Sequence, residues 1–241
     1  WNSSTLDGLA IVNFVEVSQG LRPMLDHIAS TLPHDHPNGT SGNMKYDDFN
    51  CGDVNKGMGS CAQAVREQFD ASAGGLALSE NTLGDIQVSQ KNYKSTVSPG
   101  EGLAGVGNYG IARATLKGIV DKFTLATGTQ FSKKMQDGMA TYIILAKQPS
   151  LGGYLLNKHN DAELAAHCLS QEWWSFPSQY TTDTGGNSHT RGKSYFNYLS
   201  PNYQAKMGAQ EVTKLMESWR QSFQSWLGDP NDPNNFRHLL E

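Results

Sequence analysis

Hydrophobic residues recur at helical spacing along most of this 241-residue chain, and they lose that spacing between Thr31 and about Gly75. The contrast constrains the fold more than any single motif. A 3.6-residue period on both sides of an aperiodic stretch predicts a mainly α domain with one irregular insertion. The clearest stripe is Val212, Leu215, Met216, Trp219, Phe223 and Trp226, stopped by Gly228 and Pro230. Leu116, Ile119, Val120 and Phe123 mark a second helix. Met135, Met139, Tyr142 and Ile143 mark a third, opened by Ser132. Asn160 with Glu163 reads as a capping box for a helix carrying Leu164, Cys168 and Leu169, and Thr82 with Asp85 frames a cap before LGDIQVSQKNY. Near the start, the spacing predicts helices over Asp7–Gln19 and Leu21–Ser30. The first is apolar around most of its circumference and is expected to be buried, with Gly20 as its C′ residue. The second carries Pro23 in its first turn.

The aperiodic stretch reads PHDHPNGTSG and YDDFNCGDVNKGMGS, which is loop or hairpin chemistry. A short helix is expected over Gln63–Phe69. No linker and no repeat interrupts the chain. The expectation is therefore one mainly α (α+β) domain over 1–241, with a small loop or β-hairpin lobe at about 31–75.

Composition narrows the function. Net charge is −4, so no basic field points to nucleic acid. No apolar run reaches the roughly 20 residues of a membrane span. Five Trp, nine Tyr and nine Phe supply a core and candidate stacking faces for a polar ligand. Of three cysteines, Cys51 and Cys61 bracket a Gly-rich loop short enough to close a disulfide, and Cys168 reads as a small core residue. The chain opens on WNSSTLDG without the basic segment of a secretory leader, as a domain excised from a longer protein would.

Several groups could carry chemistry. Glu16 lies at the end of the first helix. A carboxylate desolvated there stays protonated near neutral pH, as a general acid for glycosidic cleavage requires; pairing with a buried Arg is its structural alternative. Asn13 shares its polar sector at helical spacing. His34-Asp35-His36 could ligate zinc, but no third and fourth ligand stands at recognisable spacing, so a polar loop is the preferred reading and no metal is expected. Asp35 and Asp26 remain candidates for a second carboxylate. Asp47, Asp48 and Asp53 read as solvated turn residues. Trp173, Trp174 and Tyr195 are candidate sugar-stacking residues, although core packing is the commoner fate of such rings. No G-x-S-x-G and no strand-to-helix G-x-G-x-x-G is present.

Five segments then occur in a fixed order: SENTLGDIQVSQ (79–90), GVGNYGIARATL (105–116), FSKKMQDGMA (131–140), CLSQEWWSFP (168–177) and GKSYF (192–196). Together they resemble the phage-endolysin and secretion-effector branch of the lysozyme superfamily, related to lambdoid-phage lytic transglycosylases. The resemblance covers about the last 165 residues and implies a lysozyme-like helical fold. It also implies cleavage of the β-1,4 bond between N-acetylmuramic acid and N-acetylglucosamine in peptidoglycan, without a cofactor. The family's acid is a Glu at the end of an early helix. Aligned on LRPMLDHIAS, that position holds Leu32; aligned on AIVNFVEVSQG, it falls on Glu16 or Gln19. Glu16 is the choice here. The family's G-R-Y-Q tyrosine corresponds to Tyr109, a candidate substrate contact, whereas its glutamine corresponds to Gly110.

The expectation is a muramidase or lytic transglycosylase, the toxic C-terminal domain of an antibacterial effector such as those of type VI secretion. It would be secreted or injected, act in a target-cell periplasm, and be blocked by a cognate immunity protein plugging its cleft. A hydrolase would set its second carboxylate about 5–5.5 Å away if retaining and about 6.5–9.5 Å away if inverting; a transglycosylase can work with one. The alternatives are a peptidoglycan-binding module that has lost its acid and a metal-dependent hydrolase using His34 and His36.

Overall fold

A computed structural model describes residues 6, 8–35, 41–43, 46–47, 49–50, 77–92, 105–184, 187–198, 203–229, 232 and 235–240. The protein is mainly helical. No helix among the described residues is long and apolar enough to cross a membrane. The chain divides into two compact units, 1–27 with 138–241, and 28–137. Cys51, Cys61, Asp48, Asp53 and the expected Gln63–Phe69 helix lie outside the described residues.

In the first unit, α1 spans Ile11–Val17 and α2 begins at Arg22 and runs to Thr31. The expectation that the first helix is apolar all round and buried is corrected. Ile11, Phe14 and Val17 are buried, but Val12 is 61% exposed. One stripe faces the core, which is the ordinary surface-helix pattern. Gly20 follows the helix for a reason the sequence does not reveal: a Cβ there would collide with the Trp226 indole.

Helix α5, Lys133–Tyr142, is opened by the Ser132 hydroxyl, which accepts from Met135 N at 3.3 Å. It runs into a π-helical turn over Ile143–Lys147. Pro149 then starts α6, Pro149–Leu155, in its first turn. Helix α7, Ala162–Glu172, is capped by Asp161, whose carboxylate accepts from Leu164 N at 2.9 Å. The cap thus falls one residue beyond the expected Asn160. Helix α8, Ala209–Leu227, buries Val212, Met216, Trp219, Phe223 and Leu227 and ends at Gly228, with φ +79°. It packs on α6 and α7. Trp219 stands against His27 and Phe176 in this core.

In the second unit, β1 (Pro33–Asp35) and β2 (Ser41–Asn43) form an antiparallel hairpin pairing His34 with Gly42. β3 (Phe49–Asn50), β4 (Gly105–Val106) and β5 (Ile111–Ala112) make an antiparallel sheet in that order. Helix α3, Leu83–Asn92, carries the expected Thr82–Asp85 cap, with Asp85 N donating to Thr82 Oγ1 at 3.2 Å. Helix α4, Arg113–Lys122, buries Leu116, Ile119 and Val120. Leu32, 3% exposed, and Ile28 are buried apolar residues of this unit.

Candidate functional site

The segments that carry the lysozyme-superfamily resemblance meet one another within each unit. In 28–137, the 79–90 segment is laced to the entry of α5. Phe131 N donates to Asn81 O at 2.8 Å, Gln130 Nε2 to Ser79 O at 3.0 Å, and Leu83 N to Thr129 O at 2.8 Å. The turn between β4 and β5 docks on the same helix, where Asn108 N donates to Gln136 Oε1 at 3.0 Å. Gln136 Nε2 in turn donates to Tyr46 O at 3.0 Å and Phe131 O at 3.2 Å. Gly107, at φ +71°, leaves no room for a Cβ beside Gln136.

This turn drives Tyr109 inward, to 1% exposure. Its hydroxyl donates to Asp137 Oδ1 at 2.5 Å, and the Tyr46 hydroxyl donates to the same oxygen at 2.8 Å. Burial, and then the Asp137 carboxylate, push the Tyr109 phenol far above its ordinary value. Tyr109 is therefore a buried post inside the unit, not the open ligand face expected of it. Asp137 and Tyr46 were not singled out from sequence. The Q-D pair of FSKKMQDGMA was the available signal for Asp137; none marked Tyr46.

In the other unit, CLSQEWWSFP and GKSYF lie side by side. Pro177 bridges to Ser194, and Ser178 N donates to Lys193 O at 2.8 Å. They set up a row of rings. Trp174 meets Tyr203 edge-on at 5.9 Å, Tyr203 meets Phe196 at 6.2 Å, and Phe196 meets Tyr195 at 5.7 Å. All four are half-buried. Trp173, by contrast, is 4% exposed and belongs to the core. Tyr195 stacks on His189 at 3.9 Å with 10° between the planes. His189 is held by a 2.9 Å bond between its Nδ1 and Tyr195 O. Beneath it, His167 touches Tyr195 and Tyr180 and bonds Ser178 Oγ through Nδ1 at 3.2 Å. Burial, reinforced by the neighbouring His189, lowers the His167 pKa below the usual imidazole value.

The candidate carboxylates are placed differently from the expectation. Glu16 is exposed on α1, so the desolvation expected of it is absent. Asp26 is exposed and lies 3.7 Å from Arg22. Asn13 is half-buried and donates through Nδ2 to Leu239 O at 3.4 Å. Asp35 lies on β1 in the other unit, paired in register with Ser41. A carboxylate the sequence reading missed is Glu172, at the end of α7 just before Trp173. Its side chain is 9% exposed and accepts from Lys147 Nζ at 2.5 and 2.6 Å and from Gln148 Nε2 at 2.6 Å. It is fully engaged as an ion pair.

Among the described residues no group of three His, Cys, Asp or Glu is placed to hold a metal ion. His34 sits on β1, and His36 lies outside the described residues. Cys168 is buried and unpaired, its thiol pushed up by burial. No protein-family model, no curated protein and no solved structure matches the chain.

Proposed function

We propose that this chain is a lysozyme-like domain that cleaves the glycan strands of bacterial peptidoglycan at the β-1,4 bond between N-acetylmuramic acid and N-acetylglucosamine. The observation that supports this reading is the pairing of the segments carrying the resemblance. The 79–90, 105–116 and 131–140 segments are bonded into one cluster, and the 168–177 and 192–196 segments into another. Glu16, exposed on α1, is the proposed acid. As the toxic domain of an effector it acts in a target periplasm, and the producing cell protects itself with an immunity protein that blocks the cleft.

A second reading, a glycan-binding module without turnover, draws on two observations. Glu16 is exposed, and Leu32, one of the positions where the family's acid can align, is core.

Digestion of purified sacculi followed by muropeptide analysis tests both. The wild-type chain releases fragments, with reducing ends for a hydrolase or anhydro ends for a transglycosylase. Glu16→Gln lowers the rate by about 10²–10⁴-fold, the usual cost of losing a general acid. Its stability changes by no more than about 0.5 kcal/mol, because the site is on the surface. EDTA leaves the rate unchanged; loss on chelation, restored by zinc, transfers the chemistry to His34 and His36. A wild-type chain that sediments with sacculi and releases nothing establishes the binding module, and Gln19→Glu then asks whether the missing acid belongs at that position.

A further inference from the structure

The half-buried row Trp174, Tyr203, Phe196 and Tyr195 has no part in the chemistry assigned to Glu16, and the core does not consume it. Tyr198 extends it, 39% exposed and edge-on to His189 at 5.2 Å. The backbone around the row is tied by hydrogen bonds. Lys206 N donates to Ser175 O at 2.8 Å, Asn197 Nδ2 to Tyr203 O at 3.3 Å, and Gly192 N to Ser178 O at 2.9 Å. Backbone tied in this way does not have to be ordered when a ligand covers the rings.

Charge adds a second, independent observation. The chain carries a net −4, yet from Thr184 to Gln210 it contains Arg191, Lys193 and Lys206 and not one Asp or Glu. All three are exposed; Arg191 is paired with Glu163 at 3.1 Å, which leaves the two lysines as the cations of this stretch. Lys206 Nζ lies 5.7 Å from the Trp174 ring centroid, at the end of the row. Aromatic faces match the apolar C–H faces of pyranose rings. An ammonium group beside such a face, as Lys206 is beside Trp174, matches a carboxylate, and a neutral glycan would have no use for it.

We propose that this shelf is a binding site for a carboxylate-bearing amino-sugar glycan, with Trp174 and Tyr203 stacking on sugar rings and Lys206 pairing with a carboxylate. The inference rests on the peptidoglycan reading, in which lactyl and stem-peptide carboxylates are the anions. It adds a subsite that holds the strand independently of the cleaving group.

The test is binding of the full chain to two probes, purified sacculi by co-sedimentation and a carboxylate-free chitooligosaccharide by titration calorimetry. Trp174→Ala weakens both about tenfold or more, as loss of an aromatic anchor covered by its ligand does. Lys206→Gln, at an exposed position that folding tolerates, weakens sacculus binding and spares the chitooligosaccharide. Its effect disappears at high salt, where the ion pair is screened. Wild-type affinity in both variants overturns the shelf, and continued muropeptide release in the same samples leaves the cleavage reading standing. Equal loss on both probes in Lys206→Gln overturns the role of the carboxylate. Binding lost in the variants from a wild-type chain that releases no muropeptides supports the shelf and overturns cleavage alone. A wild-type chain that binds neither probe overturns the shelf.

Discussion

Replacing Tyr109 by Phe removes one hydroxyl from the centre of the 28–137 unit and leaves the ring in place. The lost bond is short, 2.5 Å to Asp137 Oδ1, and both residues are at most 5% exposed. A hydrogen bond to a charged group in such a site contributes about 1.5–3 kcal/mol. Tyr109→Phe should therefore lower stability at pH 7 by that amount. The pH dependence makes the argument sharper. The folded protein holds the Tyr109 proton far more tightly than the unfolded chain, because burial and the Asp137 carboxylate both oppose the phenolate. A raised folded pKa means that the stabilisation is complete below the unfolded value, about 10 for tyrosine. It is then lost as pH rises. Above that value the wild-type chain loses about 1.4 kcal/mol per pH unit through this one proton, and the Phe variant does not. Urea unfolding of both proteins between pH 7 and 11 measures the difference. The gap should be constant to about pH 9 and close steeply from about pH 10 upward. Curves for the two proteins that run parallel through pH 11 would refute the reasoning, since the tyrosines other than Tyr46, which shares the Asp137 oxygen, cancel in the difference.

Gly152→Ala drives a methyl group into the Leu145 carbonyl oxygen, where the π-helical turn meets α6. Overpacking of this kind costs about 1–3 kcal/mol, so the melting temperature should fall by about 2–4 °C for each kcal/mol; an unchanged melt contradicts the close approach. His167 has a lowered folded pKa, so the folded protein gives up that proton more readily than the unfolded chain. Its contribution is intact above about pH 6.5 and lost as pH falls below it. His167→Gln should flatten the decline in urea midpoint between pH 7 and pH 5, and an undiminished slope assigns the decline to other groups. Thiol titration of the denatured, unreduced chain should find one free cysteine, Cys168, if Cys51 and Cys61 pair. Three free thiols would show that they do not.

The helices were legible because their signals are local. Ser132, the Thr82–Asp85 pair and Gly228 each act within one turn of the chain, and each appears in the structure where the sequence puts it. The strands were less legible for the opposite reason. β3 and β4 pair Phe49 with Val106 and Asn50 with Gly105, across more than fifty residues. β4 and β5 contribute only two residues each to their hairpin, too few for a period-2 pattern to show. GVGNYG, the end of the stretch SPGEGLAGVGNYG, accordingly reads from sequence as part of a glycine-rich bend. Its folding into a hairpin depends on Gly107 and Gly110 at positive φ and on Gln136, which lies far along the chain.

Site residues were harder still, because a side chain's availability is decided by what packs against it. Glu16 and Phe14 are two residues apart, hence about 200° apart around a helix. Once Phe14 is fully buried, Glu16 must face away from that contact. A sequence in which Leu9, Ile11, Val12, Phe14, Val15 and Val17 are all apolar cannot say which third of the circumference wins. Tyr109 and Trp174 show the same ambiguity resolved in opposite directions. Tyr109 has a carboxylate waiting inside its unit and is drawn in. Trp174 follows directly after Trp173, and that neighbour takes the inward place at the end of α7. With Trp173 filling the core, Trp174 is left half-exposed beside Tyr203, with the Lys206 ammonium over its ring. A large ring only partly covered among the described residues, with an ammonium group over it, offers a face that a ligand can cover, and that is the physical basis for the proposed shelf.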